Sequence, residues 1–281
     1  MIAADPGFAP AKVNLCLHVT GRRADGYHLL DSLVVFADTG DRVALAGAGA
    51  APLTLRGPEA RALGADGDNL VLRAARLVAG GAAPPLVLTK RLPVASGIGG
   101  GSSDAAAALR VVAAATGRPM PDAAAILGLG ADVPVCLDAR PARMSGIGEG
   151  VVPLGPLPTV WAVLANPRRP LATAAVFGAR QGDFGAPMPD PPRFRDGTEL
   201  ARWLGATRND LEPAARALMP EVGALIAALG ALQGALIARM SGSGASAFAI
   251  MPTRAAAREG AARLARAHPG WWVRACSLGG A

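Results

Sequence analysis

Alternation of apolar and polar positions is clearest near the start of the chain. Across Phe8-Ala9-Pro10-Ala11-Lys12-Val13-Asn14-Leu15-Cys16-Leu17-His18-Val19, residues Val13, Leu15, Leu17 and Val19 share one face of a strand. Lys12, Asn14, Cys16 and His18 share the other, which on periodicity alone reads as a half-solvated sheet surface. Strands at 32–37 and 42–46 are expected next, joined by a hairpin turn at Asp38-Thr39-Gly40-Asp41. The pairs Leu70/Leu77 and Val71/Val78, each seven apart, predict a helix capped by Asp68-Asn69. A strand at 86–92 enters a glycine-rich loop, and a helix from Asp104 to Ala115 leaves it, stopped by Gly117 and Pro119. A short helix at 122–129 then leads to Gly130-Ala131-Asp132-Val133-Pro134, with the Asp132 carboxylate at the edge of an element. A lone aspartate there reads as a cap unless a partner makes it more.

Pro153, Pro156 and Pro158 mark a boundary near 155, so two domains are expected, 1–155 and 156–281. Past it come a strand at 159–165 and then Thr173 and Phe177, four apart as on a helix face. The stretch 180–197, rich in Pro, Gly and Asp, is expected to be a mobile surface loop. Arg208-Asn209-Asp210-Leu211-Glu212-Pro213 reads as the cap of a helix and Pro220 as the opening of another. Strands at 235–240, 246–251 and 271–277 with a helix at 253–267 give an α/β layer. Gly242-Ser243-Gly244-Ala245-Ser246-Ala247 has the spacing of a dinucleotide loop. Such a loop must open into a helix, and a strand is expected here instead, which sets that reading aside.

The strongest chemical signal is Pro93-Val94-Ala95-Ser96-Gly97-Ile98-Gly99-Gly100-Gly101-Ser102-Ser103-Asp104 between the strand and the alanine-rich helix. Glycines let backbone N–H groups crowd around an anion, and a helix N-terminus adds roughly half a positive charge. A P-loop would need a lysine after the last glycine, and none follows. A dinucleotide loop would need a third glycine where Ser102 stands. A phosphate cradle of another kind remains.

Composition narrows the partners. The chain has 281 residues, 51% of them hydrophobic and 4% aromatic, so a sizeable core must be built from Ala, Leu and Val. No apolar run reaches transmembrane length without Gly, Pro or charge, so no membrane partner is expected. Asp5 and Pro6 stand where a signal peptide would be basic and then apolar. Three widely spaced cysteines fit reduced thiols and no zinc site, and together these features point to the cytoplasm. The net charge of +7 admits nucleic acid as a partner. The arginines are scattered, however, and aromatics for base stacking are few, so an enzyme with anionic small-molecule ligands is preferred. Of 28 basic residues only Lys12 and Lys90 are lysine, which suggests sites wanting a compact ammonium. Tyr27, the only tyrosine, adjoins His28, one of three histidines; the pair offers flat surfaces to a planar ligand or simply packs a turn.

The loop signature Pro-x-x-x-Gly-x-Gly-Gly-Gly-Ser-Ser-x-Ala-Ala resembles that of the small-molecule kinases related to galactokinase and to homoserine, mevalonate and phosphomevalonate kinases. Pro10-Ala11-Lys12-Val13-Asn14-Leu15 with Asp25-Gly26-Tyr27-His28 resembles one branch, the 4-diphosphocytidyl-2-C-methyl-D-erythritol kinases. Gly130–Pro134, Asn209–Pro213 and Arg239–Ala245 extend the likeness over residues 8 to 250. The resemblance implies an α+β, two-domain fold with an N-terminal ribosomal-protein-S5-like domain that binds ATP. It implies a C-terminal ferredoxin-like domain that binds substrate, with the active site in the cleft between them. It further implies transfer of a phosphoryl group from ATP, with Mg²⁺, to the 2-hydroxyl of the methylerythritol unit in the non-mevalonate isoprenoid pathway. Asp132 would accept the hydroxyl proton beside Lys12, and residues Pro93 to Ser103 would hold ATP. Tyr27, His28 and Phe177 would enclose the cytosine, and Asn14 and Thr173 would bind the polyol or its neighbours. Ser96 departs from the glycine found in many relatives, and 178–200 matches no part of the family pattern. Asp104 is expected to cap its helix, facing away from the phosphates. Metal ligands stay unassigned, and a monomer or homodimer is expected. Another kinase of the superfamily, a nucleic-acid-binding module and a nicotinamide-dependent oxidoreductase are the competing readings.

Overall fold

The structure, a computed structural model, describes residues 5–47, 49–63 and 69–279. Two compact units interleave along the chain, one of Met1–Lys12, Gly40–Val94 and Gly99–Ala139, the other of Val13–Thr39, Ala95–Ile98 and Arg140–Ala281. This division by compactness is not a single cut near 155. The long strands β1 (Phe8–Arg22) and β2 (His28–Leu45) each begin in one unit and end in the other.

In the first unit the end of β2 pairs antiparallel with β4 (Leu86–Thr89), and β3 (Leu53–Arg56) lies parallel on the far side of β4. Helices α1 (Leu70–Ala79) and α2 (Gly100–Thr116) pack on each other. Asn69 caps α1 by accepting from the Val71 N–H; Asp68, expected to share that cap, lies outside the described residues. Residues Ser103 to Leu109 of α2 are all buried, so this stretch of the helix is enclosed on every side, while its last turn is exposed. Runs of alanine permit that close packing. Gly117 ends α2 in the left-handed conformation with its N–H on the Ala113 carbonyl, as expected. Short helices α3 (Ala123–Leu127) and α4 (Val133–Asp138) complete the unit.

The hairpin expected at 38–41 does not form, because β2 runs straight through it. Gly40 allows the Ala9–Pro10 backbone to approach so closely that a Cβ would lie 2.8 Å from the Ala9 carbonyl carbon. Asp41 turns inward and accepts from the Arg91 and Leu92 N–H groups. Turn-forming residues were thus recruited for close approach and for buried hydrogen bonds.

In the second unit β5 (Ala142–Gly146) pairs with β2 and forms a hairpin with β6 (Gly150–Pro153). Strand β7 (Val160–Asn166) lies antiparallel between β10 (Trp272–Leu278) and β9 (Ala247–Met251), with β8 (Ile237–Met240) beyond β9. Helices α8 (Pro220–Gly230) and α9 (Arg254–Ala267) cover this sheet, burying Val163, Leu225, Leu229, Ala249, Leu264 and Val273 in one core. A second core gathers Leu17, Val19, Val176, Leu211, Met219 and Met240 around α5 (Thr173–Ala179) and α7 (Glu212–Leu218). The unexpected helix α6 (Gly197–Leu204) starts at Asp196, whose carboxylate accepts from Thr198 and Glu199.

Candidate active site

The polar face of β1 is not a solvated surface. Lys12, Asn14, Cys16 and His18 are all buried, between 0% and 4% exposed. A buried ammonium is costly unless paired. Lys12 is paired, its Nζ lying 2.7 Å from Asp132 Oδ2, with the Asp132 side chain about a third exposed. Periodicity and spacing left Asp132 without a partner; the family resemblance named Lys12, 120 residues upstream, and the two are in contact. Asp132 sits at the start of α4 and makes no side-chain capping bond. Arg110 of α2 steadies that short helix from its other end, donating to the Cys136 and Leu137 carbonyls.

The start of α2 lies against the same lysine. A Cβ on Gly99 would stand 3.0 Å from the Lys12 Cβ and 3.2 Å from its Cε. Gly99, at φ 62°, is the N-cap, and no side chain caps the helix. Helix α2 begins at Gly100, four residues before the position expected from the sequence. Its first intrahelical bond runs from the Ser103 N–H to the Gly99 carbonyl, which leaves the amides of Gly100, Gly101 and Ser102 to point forward. The Ser103 hydroxyl is spent on the Pro10 carbonyl at 2.7 Å. Within the Pro93–Ser103 stretch, the amides from Gly100 to Ser102 and the half-buried Ser102 hydroxyl are therefore the donors left open at the start of α2.

Asp104 does not cap α2. It lies in the helix, 2% exposed, and accepts from Lys90 Nζ at 2.7 Å, while Asp41 accepts from the same Nζ at 2.5 Å. Burial alone would lower the Lys90 pKa, but the two carboxylates outweigh it and hold the ammonium above the ordinary lysine range. Burial pushes Asp104 up to about 7, against the pull of Lys90 and with the help of Asp41. Asp41 has two backbone N–H donors besides Lys90, whereas Asp104 Oδ1 has no partner among the described residues. Burial and an unpartnered oxygen therefore leave Asp104 the group that takes a proton near pH 7. The second lysine singled out by composition is thus a clamp between β2, β4 and the start of α2.

Residues Ala95–Ile98 of the loop lie in the second unit. Ala95 and Gly97 adopt φ of 49° and 71°. A Cβ on Gly97 would lie 2.5 Å from the Gly244 carbonyl oxygen and 2.7 Å from that of Ser241. The Ser241 hydroxyl donates to the Gly97 carbonyl, and the Ser246 N–H donates to the Ser96 carbonyl. The Ser241–Gly244 turn is thus a brace for residues 95–98, and strand β9 follows it directly, as expected for a turn that is not a dinucleotide loop.

Among the residues expected to hold substrate, His28 and Phe177 come together. Their rings stack with centroids 5.1 Å apart and planes 26° from parallel. No base fits between rings so close, so a ligand would use their outer faces and edges. Tyr27 is 61% exposed beside them. Asn14 donates through Nδ2 to Ser32 at 2.7 Å, while its buried Oδ1 has no partner among the described residues. The Thr173 hydroxyl, at the exposed start of α5, lies 2.9 Å from the Ser243 hydroxyl. Ser243 lies in the Arg239–Ala245 segment of the family pattern, but its contact with Thr173, 70 residues away, had no cue in the sequence.

The segment 180–197 carries no regular structure before α6, but it is anchored. Asp31 accepts from Arg143 Nε and Nη2 and from the Met188 N–H, and the Met188 side chain is buried. The Gly185 N–H donates to the Val19 carbonyl. His18 Nδ1 donates to the Ala186 carbonyl at 3.1 Å while its Nε2 accepts from the Arg208 N–H. That arrangement requires the neutral ring, and burial accordingly lowers the His18 pKa. The polar residues 208–210, expected to cap a helix, also tie down β1: Asp210 accepts from the Val19 N–H at 2.7 Å.

The family "GHMP kinases N terminal domain" matches residues 69–139, and "GHMP kinases C terminal" matches 192–270. A 4-diphosphocytidyl-2-C-methyl-D-erythritol kinase of Cereibacter sphaeroides is 55% identical over 97% of this chain and 99% of its own. The protein so named in Dinoroseobacter shibae is 53% identical over 95% of this chain and 92% of its own. A crystal structure of 4-(cytidine 5'-diphospho)-2C-methyl-D-erythritol kinase superposes with a TM-score of 0.80 at 35% identity, covering 98% of this chain and 99% of that one. A glycine loop opening into an uncapped α2 beside a Lys–Asp pair, in an α+β chain with these relatives, places the protein in the 4-diphosphocytidyl-2-C-methyl-D-erythritol kinase family of the GHMP kinases.

Proposed function

We propose that this kinase transfers the γ-phosphoryl group of ATP to the 2-hydroxyl of 4-(cytidine 5'-diphospho)-2-C-methyl-D-erythritol. The observation that carries the reading is the Lys12–Asp132 pair at 2.7 Å against the uncapped start of α2. Asp132 accepts the hydroxyl proton as the new O–P bond forms, and the bond from the γ-phosphorus to ADP breaks. Lys12 offsets the charge developing on the attacking oxygen and holds the Asp132 carboxylate in place. Phosphoryl transfer asks the protein mainly for positioning and charge, and little covalent chemistry.

The amides of Gly100, Gly101 and Ser102 fit the phosphates of ATP, because an open helix N-terminus offers unpaired donors and a favourable dipole. Residues 93–98, which precede the cradle in the chain, complete the stretch that the resemblance assigns to ATP. Mg²⁺ is usually held by substrate phosphates with one or two side chains. No group of three or more His, Cys, Asp or Glu that could hold a metal occurs among the described residues, so the ion would arrive with the nucleotide. Tyr27, His28 and Phe177 take the cytosine, and the unpartnered Asn14 Oδ1 and the Thr173 hydroxyl take hydroxyl groups of the polyol or its neighbours. No helix among the described residues is long and apolar enough to cross a membrane.

Measuring ADP release with the cytidyl polyol, mevalonate, homoserine and galactose in turn tests the substrate. Turnover confined to the cytidyl polyol is expected. Turnover of mevalonate with none of the cytidyl compound would sink the proposal.

A further inference from the structure

The His28 imidazole is held by rings on two sides. Phe177 stacks on its face, and Phe184 meets it edge-on, with centroids 6.2 Å apart and planes at 68°. Among the described residues no hydrogen bond is made to either ring nitrogen of His28, so packing alone sets the plane of the imidazole. Phe184 is 46% exposed, and Arg180 lies over its ring with Cζ 5.0 Å from the centroid. Arg180 is itself tied back, donating from Nη1 to the Gly182 carbonyl and from Nη2 to that of Asp183. Phe184 does not sit on slack chain. The residue after it donates its N–H to the Val19 carbonyl, and the Ala186 carbonyl accepts from both His18 and Arg208. Met188 closes the strap on Asp31.

We propose that Phe184 is a positioning residue for nucleobase recognition, clamping His28 against Phe177 so that the imidazole nitrogens are presented to the polar edge of the pyrimidine. The proposal rests on the cytidyl reading above and extends it to a residue in a segment that matched no part of the family pattern. An edge-to-face contact orients a ring without using its nitrogens, which a hydrogen-bonded partner would occupy. Partial burial, with Arg22 and Arg180 nearby, lowers the His28 pKa, which keeps one nitrogen a donor and the other an acceptor.

Calorimetric titration with cytidine 5'-diphosphate, alongside steady-state kinetics, tests this on the full chain. Phe184→Ala is expected to weaken diphosphate binding and to raise the KM for the cytidyl substrate, each by about 3- to 10-fold. kcat, the KM for ATP and the melting temperature should stay close to wild type. Phe184→Tyr, which keeps the ring, should restore both affinities. Unchanged affinity in Phe184→Ala, or a parallel fall in kcat and melting temperature, would overturn the clamp. If Phe177→Ala loses the diphosphate while Phe184→Ala keeps it, the clamp is wrong and the cytidyl reading stands. Wild-type protein that takes up no cytidine diphosphate would overturn both.

Discussion

In the Asp132–Lys12 ion pair, the proposed proton acceptor and its neighbouring charge are both named by the family pattern and are in contact. Asp132→Asn keeps the size of the side chain and removes its capacity to take a proton. A fall in kcat of ~10²–10⁴-fold, with the KM for ATP nearly unchanged, is expected in ADP-release assays. A variant with wild-type kcat would take Asp132 out of the chemistry. Phe177→Ala should act on binding, raising the KM for the cytidyl substrate while kcat stays within a few-fold. An unaltered KM would exclude Phe177 from base recognition. The three cysteines are buried and free, and burial pushes the Cys136 thiol up to about 12.

The element on which most depends is α2. Its start is fixed from inside by Lys90, held between Asp41 and Asp104. Removing the ammonium in Lys90→Met leaves two carboxylates buried, at an expected cost of about 3–5 kcal/mol in urea unfolding. Asp104 adds a dependence on pH. Its pKa rises from 3.8 to about 7 on folding, so between these values the folded protein binds more protons than the unfolded chain. The stability that this proton contributes is complete below about pH 4 and is lost as pH rises through about 7. Asp104→Asn cannot ionise, so its melting temperature should gain on that of wild type steadily from pH 5 to 8. Parallel melting curves across that range would refute the assignment of the proton to Asp104. Gly97 shows a different constraint. Its φ of 71° and the Gly244 carbonyl 2.5 Å from a would-be Cβ leave no room for alanine, so Gly97→Ala should displace the brace and weaken ATP binding.

At the scale of the whole molecule, two ligands should report on two sets of residues. An ATP analogue and cytidine diphosphate should each raise the melting temperature, by an amount equivalent to about 2.7 kcal/mol at a hundred times Kd. NAD should not, since the Gly242–Ala247 motif leads into strand β9. A larger shift with NAD than with ATP would reopen the nicotinamide reading. The net charge of +7 need not serve nucleic acid. Arg110 and Arg239 are spent on carbonyl groups, and Arg143 is spent on Asp31.

The sequence by itself determined most elements of the second half of the chain. Strands β7 and β9 are short continuous apolar runs buried on both faces, and together with the Pro220 helix they are bounded by Pro, Gly or Asn, so run length and punctuation suffice to read them. It also determined the chemical type of the glycine loop, because only certain glycine spacings leave amides free. It misjudged Asp38–Asp41, the polar face of β1 and the strap at 180–197, and for one physical reason. Turn residues and polar residues look solvent-seeking until the fold supplies a buried partner. Asp41 meets Lys90, Lys12 meets Asp132, and Asp31 meets Arg143 and Met188. Those pairings link residues 49 to 157 positions apart, beyond any local period. Only the tertiary structure could decide that Lys90 is held between Asp41 and Asp104 against α2, while Lys12 lies on a part-exposed Asp132.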